Sequence, residues 1–240
     1  MKLNTHHSDG TYRKYQSINC ILLDLDGTLI DSEGISFQCT DTAFRQVMGR
    51  GITPEERDIF MGRPVSILLS DMFGTRGEEI AAIGKSLYMK KIPGLNLYDG
   101  IMDVLLELKK MGLKMGIVTS SRREPVNEIM KSLKIENLFS TVVTQESTER
   151  HKPQPDPVFK ALEETGTLPK NAIFIGDQPW DMQSANAAGV RSYGASWGPG
   201  RESLLRRSGA ISVLRKPSSI LRIIRGYPQQ LDGNNSFKAE

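Results

Sequence analysis

The sequence has little of the chemistry that marks zinc-binding, disulfide-stapled or membrane-spanning proteins. It contains two cysteines and three histidines in 240 residues, and no apolar run approaches the roughly 20 residues that cross a bilayer. Cys20 and Cys39 form no CxxC motif, which favours two buried or half-buried thiols over a disulfide or redox pair. The leader MKLNTHHSDGTYRKYQS also lacks the apolar stretch of a secretory signal. These absences predict a reduced, cytoplasmic protein with no membrane partner.

Acidic residues are scarce toward the C-terminal end. The net charge is only +3, yet Glu202 is the single acid between residues 191 and 226. The basic residues of this stretch are Arg191, Arg201, Arg206, Arg207, Arg215, Lys216, Arg222 and Arg225. They form either an anion-binding surface or a solvated basic face, and the lack of aromatic interleaving or a nucleic-acid motif favours the second. We therefore expect no nucleic-acid partner, and no obligate protein partner is evident.

Apolar runs and helical periodicity alternate along much of the chain. Runs that suit buried strands of a parallel sheet lie at residues 18–23, 113–118, 141–144, 172–175 and 190–193. Helical patterns lie between them at residues 101–111, 124–133, 157–165 and 181–188. This alternation predicts an α/β fold, with a doubly wound, Rossmann-like parallel sheet.

Residues 33–91 break this rhythm, because they show helical periodicity and no convincing strand. Their best local signal is a capping box in which Thr53 fits the N-cap, Pro54 the first helical position and Glu56 the N3 position. We therefore expect an inserted helical unit at 33–91 and an α/β core at 17–32 and 92–226. The ends, 1–16 and 227–240, are expected to be flexible tails.

The segment DLDGTLIDS follows the first predicted strand directly. Residues two apart in an extended backbone point to the same side, so Asp24 and Asp26 are expected together at the carboxyl end of the strand. Open α/β sheets bind their ligands at that end. Two carboxylates so close repel each other unless a cation lies between them or one is protonated. One Asp can then be a nucleophile and the other an acid and base, although DxD alone also fits an acidic turn.

This segment resembles the first motif, DxDGT, of the haloacid dehalogenase superfamily, and three further motifs follow in the order of that superfamily. GIVTS with Thr119 is similar to the second motif and HKPQPDPVF with Lys152 to the third. IFIGDQPWDMQSANAAG, with Asp177 and Asp181, is similar to the fourth. SYGASWGPG and LLRRSGA resemble the phosphoglycolate phosphatase branch. The helical insertion resembles the small α-helical cap of the phosphoglycolate phosphatase-like and β-phosphoglucomutase-like branches.

The resemblance implies a magnesium-dependent phosphatase that hydrolyses a small phosphorylated metabolite, a phosphate monoester, through an aspartyl-phosphate intermediate. Asp24 would attack phosphorus, and Asp26 would protonate the leaving alcohol and then deprotonate the hydrolytic water. The Thr119 hydroxyl and the Ser120 backbone N–H suit a phosphate oxygen. Lys152 supplies a positive charge that offsets the nucleophile and the phosphoryl oxygens.

The implied cofactor is Mg²⁺, which prefers hard oxygen ligands and usually keeps several waters. Asp24, the Asp26 backbone carbonyl and Asp177 would hold it. Asp181 lies one helical turn beyond Asp177 and would bind the metal directly or through water. In the cap, Arg63 lies between two predicted helices and is the candidate for contacting an anionic group of the substrate, with an exposed loop arginine as the alternative.

Other members of the superfamily define the alternatives. Asp26 and Asp177 argue against the metal-free dehalogenases, and the absence of lysine between Ile30 and Lys85 argues against phosphonatases, which use a cap lysine. A phosphomutase of the β-phosphoglucomutase type keeps the same core and is the alternative enzyme. A non-catalytic phosphate-sensing or scaffold protein is the alternative of another class, and the filled motif positions argue against it.

Overall fold

The computed structural model of the chain describes residues 18–226, so the tails expected at 1–16 and 227–240 lie outside the described residues. Six strands form one sheet: β1 (Cys20–Leu23), β2 (Lys114–Val118), β3 (Thr141–Val143), β4 (Ala172–Gly176), β5 (Arg191–Ala195) and β6 (Ser212–Leu214). Their order is β3-β2-β1-β4-β5-β6, and every pair is parallel. The predicted doubly wound α/β sheet is confirmed. The sequence pattern did not predict β6.

Within residues 18–226, ten α-helices accompany the sheet. Four lie between β1 and β2: α1 (Glu33–Met48), α2 (Pro54–Phe60), α3 (Val65–Phe73) and α4 (Thr75–Met89). The others are α5 (Ile101–Lys110), α6 (Arg123–Leu133), α7 (Asp156–Thr165), α8 (Pro179–Ala187), α9 (Glu202–Arg207) and α10 (Ser219–Ile224). The four predicted core helices are observed as α5 to α8, with ends that differ by no more than two residues. None of the helices found in residues 18–226 has the length and apolar character needed to cross a membrane.

The central strand β1 is buried on both faces, because alternate residues of a strand point to opposite sides. Ile21 and Leu23 pack in one apolar cluster with residues of α5, α6 and α10. Cys20 and Leu22 pack in a second cluster with residues of α7 and α8. Helices therefore cover both faces of the sheet, which is why the strand reads as a continuous apolar run.

The stretch from α1 to α4 has an apolar cluster of its own. Each of its four helices contributes to this cluster, whose buried members are Ala43, Phe44, Phe60, Leu69 and Ile80. The capping box predicted at Thr53 is confirmed, since its side chain accepts from the Glu56 backbone N–H and the Glu56 side chain accepts from the Thr53 backbone N–H. Residues 33–89 therefore form a helical segment inserted between β1 and β2.

Part of the basic charge near the C-terminal end is neutralised locally. Glu202 pairs with Arg206 at 2.7 Å and with Arg215 at 3.4 Å, and Arg225 pairs with Glu107 at 2.8 Å. All five side chains are substantially exposed, so these pairs contribute little to stability. The pairing agrees with the interpretation of this stretch as a solvated face. Both cysteines are buried free thiols, as expected.

Candidate active site

The sequence motifs meet at one edge of the sheet, because the carboxyl ends of parallel strands lie on the same side. Asp24 follows β1, Thr119 follows β2 and Asp177 follows β4. Lys152 reaches the same place from the segment before α7, and Asp181 lies in the first turn of α8. The fold thus brings together residues that are more than 150 positions apart.

Three carboxylates form a buried acidic cluster below this edge. One oxygen from each of Asp24, Asp177 and Asp181 lies within 4.8 Å of the others. The three residues are only 5%, 1% and 0% exposed, respectively. Hard oxygen donors so closely grouped are the ligands that a small divalent cation prefers. The donor set therefore fits the metal that the sequence predicts.

Lys152 is the cation within this cluster. Its buried Nζ donates to Asp24 Oδ1 at 2.8 Å, to Asp181 Oδ1 at 2.6 Å and to the Val118 carbonyl oxygen at 3.2 Å. Burial by itself lowers the pKa of Lys152, but the Asp181 and Asp24 carboxylates outweigh it and hold this pKa above its usual range. Lys152 is therefore a protonated side chain fixed against the proposed nucleophile.

One lysine does not neutralise three buried carboxylates. Burial raises the pKa of Asp24 to about 8, against the opposing Lys152 charge and with help from Asp181. Burial also raises the pKa of Asp177 well above its usual range, and the Asp24 and Asp181 charges add to this effect. A further positive charge would be needed for all three groups to ionise together.

The Asp177 carboxylate is held from two sides and lies against the turn after β1. Its Oδ1 accepts from the Thr28 hydroxyl at 2.9 Å and its Oδ2 from Gln178 Nε2 at 2.6 Å. A Cβ at Gly27 would lie 2.6 Å from Asp177 Oδ2, and Gly27 has φ of +78°. Glycine is therefore required at this position both for its backbone conformation and for the close approach of the carboxylate.

Asp181 has both carboxylate oxygens engaged. Its Oδ1 accepts from Lys152, and its Oδ2 accepts from the Gln178 backbone N–H at 2.9 Å, which closes a capping box at the start of α8. This carboxylate therefore orients the lysine and begins the helix at the same time. Its position beside Asp177 follows from that helix start.

Asp26 lies apart from the three clustered carboxylates. Its Oδ1 accepts from the Ser32 hydroxyl at 2.5 Å and its Oδ2 from the Ser121 hydroxyl at 2.6 Å. The Thr119 hydroxyl is 3.5 Å from Oδ2, while its oxygen accepts from the Ser121 backbone N–H at 3.0 Å. The sequence did not predict either serine contact, although Ser32 is the last residue of the DLDGTLIDS segment. Two hydroxyl donors thus set the direction of the proposed acid and base.

A second loop packs beneath the turn that carries these carboxylates. The Trp197 indole N–H donates to the Thr28 carbonyl oxygen at 2.8 Å. A Cβ at Gly198 would lie 2.1 Å from the Gly27 carbonyl oxygen, so only glycine permits this approach. Trp197 is both a packed aromatic residue and part of the cavity wall.

A cavity of about 540 Å³ lies between this edge and the helical segment. Asp24, Asp26, Thr119, Ser120 and Lys152 contribute to its core side. The helical segment contributes a mixed wall that includes Phe37, Met61, Arg63 and Tyr88. All the predicted catalytic residues and both predicted substrate-binding residues, Ser120 and Arg63, therefore face one cavity.

Glu33, at the start of α1, is a further cavity residue that the sequence reading missed. Its Oε1 accepts from Gln178 Nε2 at 3.1 Å. Burial raises the pKa of Glu33 to about 7, and the nearby Asp26 charge adds to the effect. Glu33 is connected through Gln178 to Asp177, at the edge of the acidic cluster.

Comparison with known proteins identifies the family of this chain. The family model described as haloacid dehalogenase-like hydrolase matches residues 21–195. The chain belongs to the haloacid dehalogenase-like hydrolase family, and the resemblance stated from its motifs is confirmed.

Individual relatives match along almost their whole length. A Caldanaerobacter subterraneus subsp. tengcongensis protein provisionally named pyrophosphatase PpaX is 32% identical over 211 residues, which are 87% of this chain and 96% of that protein. The pyrophosphatase PpaX of Bacillus velezensis is 30% identical over 207 residues, 86% of this chain and 96% of that protein. A Lactobacillus plantarum structure provisionally described as phosphoglycolate phosphatase has a TM-score of 0.76 and 25% identity, covering 86% of this chain and 99% of that one.

Proposed function

We propose that this hydrolase is a magnesium-dependent phosphatase that transfers the phosphoryl group of a small metabolite to Asp24 before releasing it to water. The observation that carries the proposal is the Lys152 contact to Asp24, which lines the cavity and belongs to a cluster of three buried carboxylates. The family membership supports hydrolysis, and a buried carboxylate held by a lysine supports a covalent route through that carboxylate.

In the proposed mechanism, Asp24 attacks phosphorus in line with the leaving oxygen. Asp26 donates a proton to that oxygen, and the resulting Asp26 carboxylate then takes a proton from the water that hydrolyses the aspartyl phosphate. Ser32 and Ser121 orient the Asp26 carboxyl group through their hydroxyls. Lys152 stays protonated through the cycle and offsets the negative charge shared between Asp24 and the phosphoryl group.

Mg²⁺ would be held by the Asp24 and Asp177 carboxylates and the Asp26 backbone carbonyl, and when bound it would supply the positive charge that the acidic cluster lacks. Asp181 would contact it directly or through water. Lys152 and Gln178 already engage both oxygens of Asp181 in the structure, which favours the water-mediated contact. Thr119 and the Ser120 backbone N–H would bind the phosphoryl oxygens.

The helical segment, which the sequence predicts at residues 33–91 and the structure shows at 33–89, is proposed as the cap that covers the site. It would exclude bulk water during phosphoryl transfer to Asp24 and would contact the leaving group. Its cavity wall supports a phosphate monoester with an organic leaving group, since Phe37, Met61 and Tyr88 offer contacts that an inorganic diphosphate does not need. The PpaX relatives carry the name pyrophosphatase, so cleavage of a phosphoanhydride is the competing substrate class.

The test is phosphate release by the purified protein, with magnesium and again with chelator. The panel includes two- and three-carbon phosphorylated acids, sugar phosphates, nucleotides and inorganic pyrophosphate, and Asp24→Asn is the control variant. Release that needs both magnesium and Asp24 supports the proposal, and the preferred compound decides between monoester and anhydride. Sugar phosphate isomerisation with a bisphosphate primer and no release would indicate a mutase. If neither phosphate release nor isomerisation is detected, the result would favour a non-catalytic protein.

A further inference from the structure

The turn between α2 and α3, residues 61–63, lies against side chains of the core. The Trp180 indole N–H donates to the Met61 carbonyl oxygen at 3.2 Å. The Ser120 hydroxyl donates to the Gly62 carbonyl oxygen at 3.3 Å. These contacts come from the segments that follow β4 and β2, so two separate parts of the core hold one short turn of the helical segment.

The same turn presents Arg63 to the cavity. The guanidinium carbon of Arg63 lies 5.3 Å from the centroid of the Trp180 ring, within the range of a cation–π contact. Arg63 lines the cavity, whereas Trp180 supports it from outside the lining. Within residues 18–226, none of the ion pairs involves Arg63. Its charge therefore faces the cavity without a carboxylate that neutralises it.

We propose that Trp180 is a positioning residue that holds the Arg63 guanidinium at the cavity wall, where it binds a second anionic group on the substrate, a carboxylate or phosphate. The proposal rests on the proposed function. Arginine is a long side chain that loses rotamer freedom when it binds an anion, and an aromatic face that restrains it beforehand reduces that loss. Trp180 restrains both the turn at residues 61–63 and the Arg63 side chain, because its indole N–H donates to the turn and its ring contacts the guanidinium.

The test compares two probes that differ only in the second anionic group, phosphoglycolate and ethyl phosphate. The measured quantity is the ratio of kcat/KM for phosphoglycolate to kcat/KM for ethyl phosphate. Arg63→Leu should lower this ratio, and Trp180→Leu should lower it by about 3- to 30-fold, the range of a cation–π contact. The loss should appear mainly in KM for phosphoglycolate. Trp180→Phe keeps an aromatic face and should retain most of the discrimination.

A double variant separates positioning from a general structural effect. If Trp180 acts through Arg63, adding Trp180→Leu to Arg63→Leu should lower the ratio no further. Arg50→Leu is the matched control, because Arg50 also makes a cation–π contact in the helical segment, 4.9 Å from the Phe44 centroid, and lies outside the cavity lining. It should leave the ratio unchanged.

The outcomes distinguish this proposal from the proposed function. The ratio is also measured as a ratio of dissociation constants, by calorimetry with magnesium on the Asp24→Asn background. Absent turnover would overturn the proposed hydrolysis, and the binding ratio would still decide the role of Trp180. A Trp180→Leu ratio equal to that of the parent protein, or a parent protein that does not discriminate between the probes, would overturn the positioning role.

Discussion

Replacement of Lys152 by methionine tests the electrostatic arrangement on which the site depends. Lys152 Nζ lies 2.8 Å from Asp24 Oδ1 and 2.6 Å from Asp181 Oδ1, and its side chain is 3% exposed. At an effective dielectric constant of about 20, each contact is worth about 6 kcal/mol before desolvation is subtracted. Removing one partner of a buried ion pair costs about 3–5 kcal/mol, because it leaves an uncompensated buried charge.

The loss of stability in the Lys152→Met variant should depend on pH. The raised pKa of Asp24 sets the direction of this dependence. Its pKa is raised in the folded protein from 3.8 to about 8. A carboxyl group with a raised pKa stabilises the fold below its unfolded pKa and loses that contribution as the pH rises through the folded value. Without Lys152 the carboxylates can still escape repulsion by taking up protons at pH 5, but they do so less readily at pH 8. The loss of about 3–5 kcal/mol is therefore expected at pH 8, with a smaller loss at pH 5.

Urea unfolding followed by circular dichroism, in chelator at pH 5 and at pH 8, measures the free energy of unfolding and its dependence on pH. Lys114→Met is the matched control, since Lys114 Nζ donates to the uncharged Thr165 carbonyl oxygen. Because Lys114 is exposed, that variant should lose only about 0.5–1.5 kcal/mol, with no difference between the two pH values. An equal loss at pH 5 and pH 8 for Lys152→Met, or a loss below about 1 kcal/mol, would refute the reasoning.

Three further predictions test neighbouring parts of the site. Asp26→Asn should lower kcat by about 10²- to 10⁴-fold with little change in KM, and a near-normal kcat in the phosphate-release assay would remove its acid-base role. The pKa of Glu33 is raised from 4.5 to about 7, so its stabilising contribution is present below pH 4.5 and is lost as the pH rises through 7. Glu33→Gln should therefore lose less stability than the parent between pH 5 and pH 8, and urea midpoints that fall in parallel would contradict this. Gly198→Ala should cost about 1–3 kcal/mol and slow magnesium-dependent turnover, because its Cβ would displace the Gly27 turn. Gly94→Ala, where nothing lies within 4 Å, is the control, and equal thermal unfolding of the two variants would count against the packing argument.

The sequence predicted the sheet well, because strands buried on both faces are continuous apolar runs with turn residues at their ends. The first four predicted strands correspond to β1 to β4, and the predicted run at 190–193 corresponds to β5, which extends to Ala195. The capping box at Thr53 was equally readable, because all of its partners lie within four residues. Such features depend on residues that are close together along the chain, so they can be predicted from the sequence.

The proximity of Asp24 and Lys152 was also predictable, but for a different reason. Asp24 and Lys152 belong to motifs that resemble a family, and their contact at 2.8 Å lies between residues 128 positions apart. Periodicity and spacing alone left open whether DxD was a site or an acidic turn. The occurrence of four motifs in the order of that family favoured a site, which the local pattern alone did not indicate.

Amino-acid order by itself determined the alternation of strands and helices, the inserted helical segment and the acidic turn after β1. The tertiary structure alone decided that Ser121 orients Asp26, that Gln178 connects Glu33 with Asp177, and that Trp180 lies beneath Arg63. The physical reason is distance along the chain. Local patterns set backbone period and turns, whereas contacts between strand ends depend on the order of strands in the sheet and on how the helical segment packs against it.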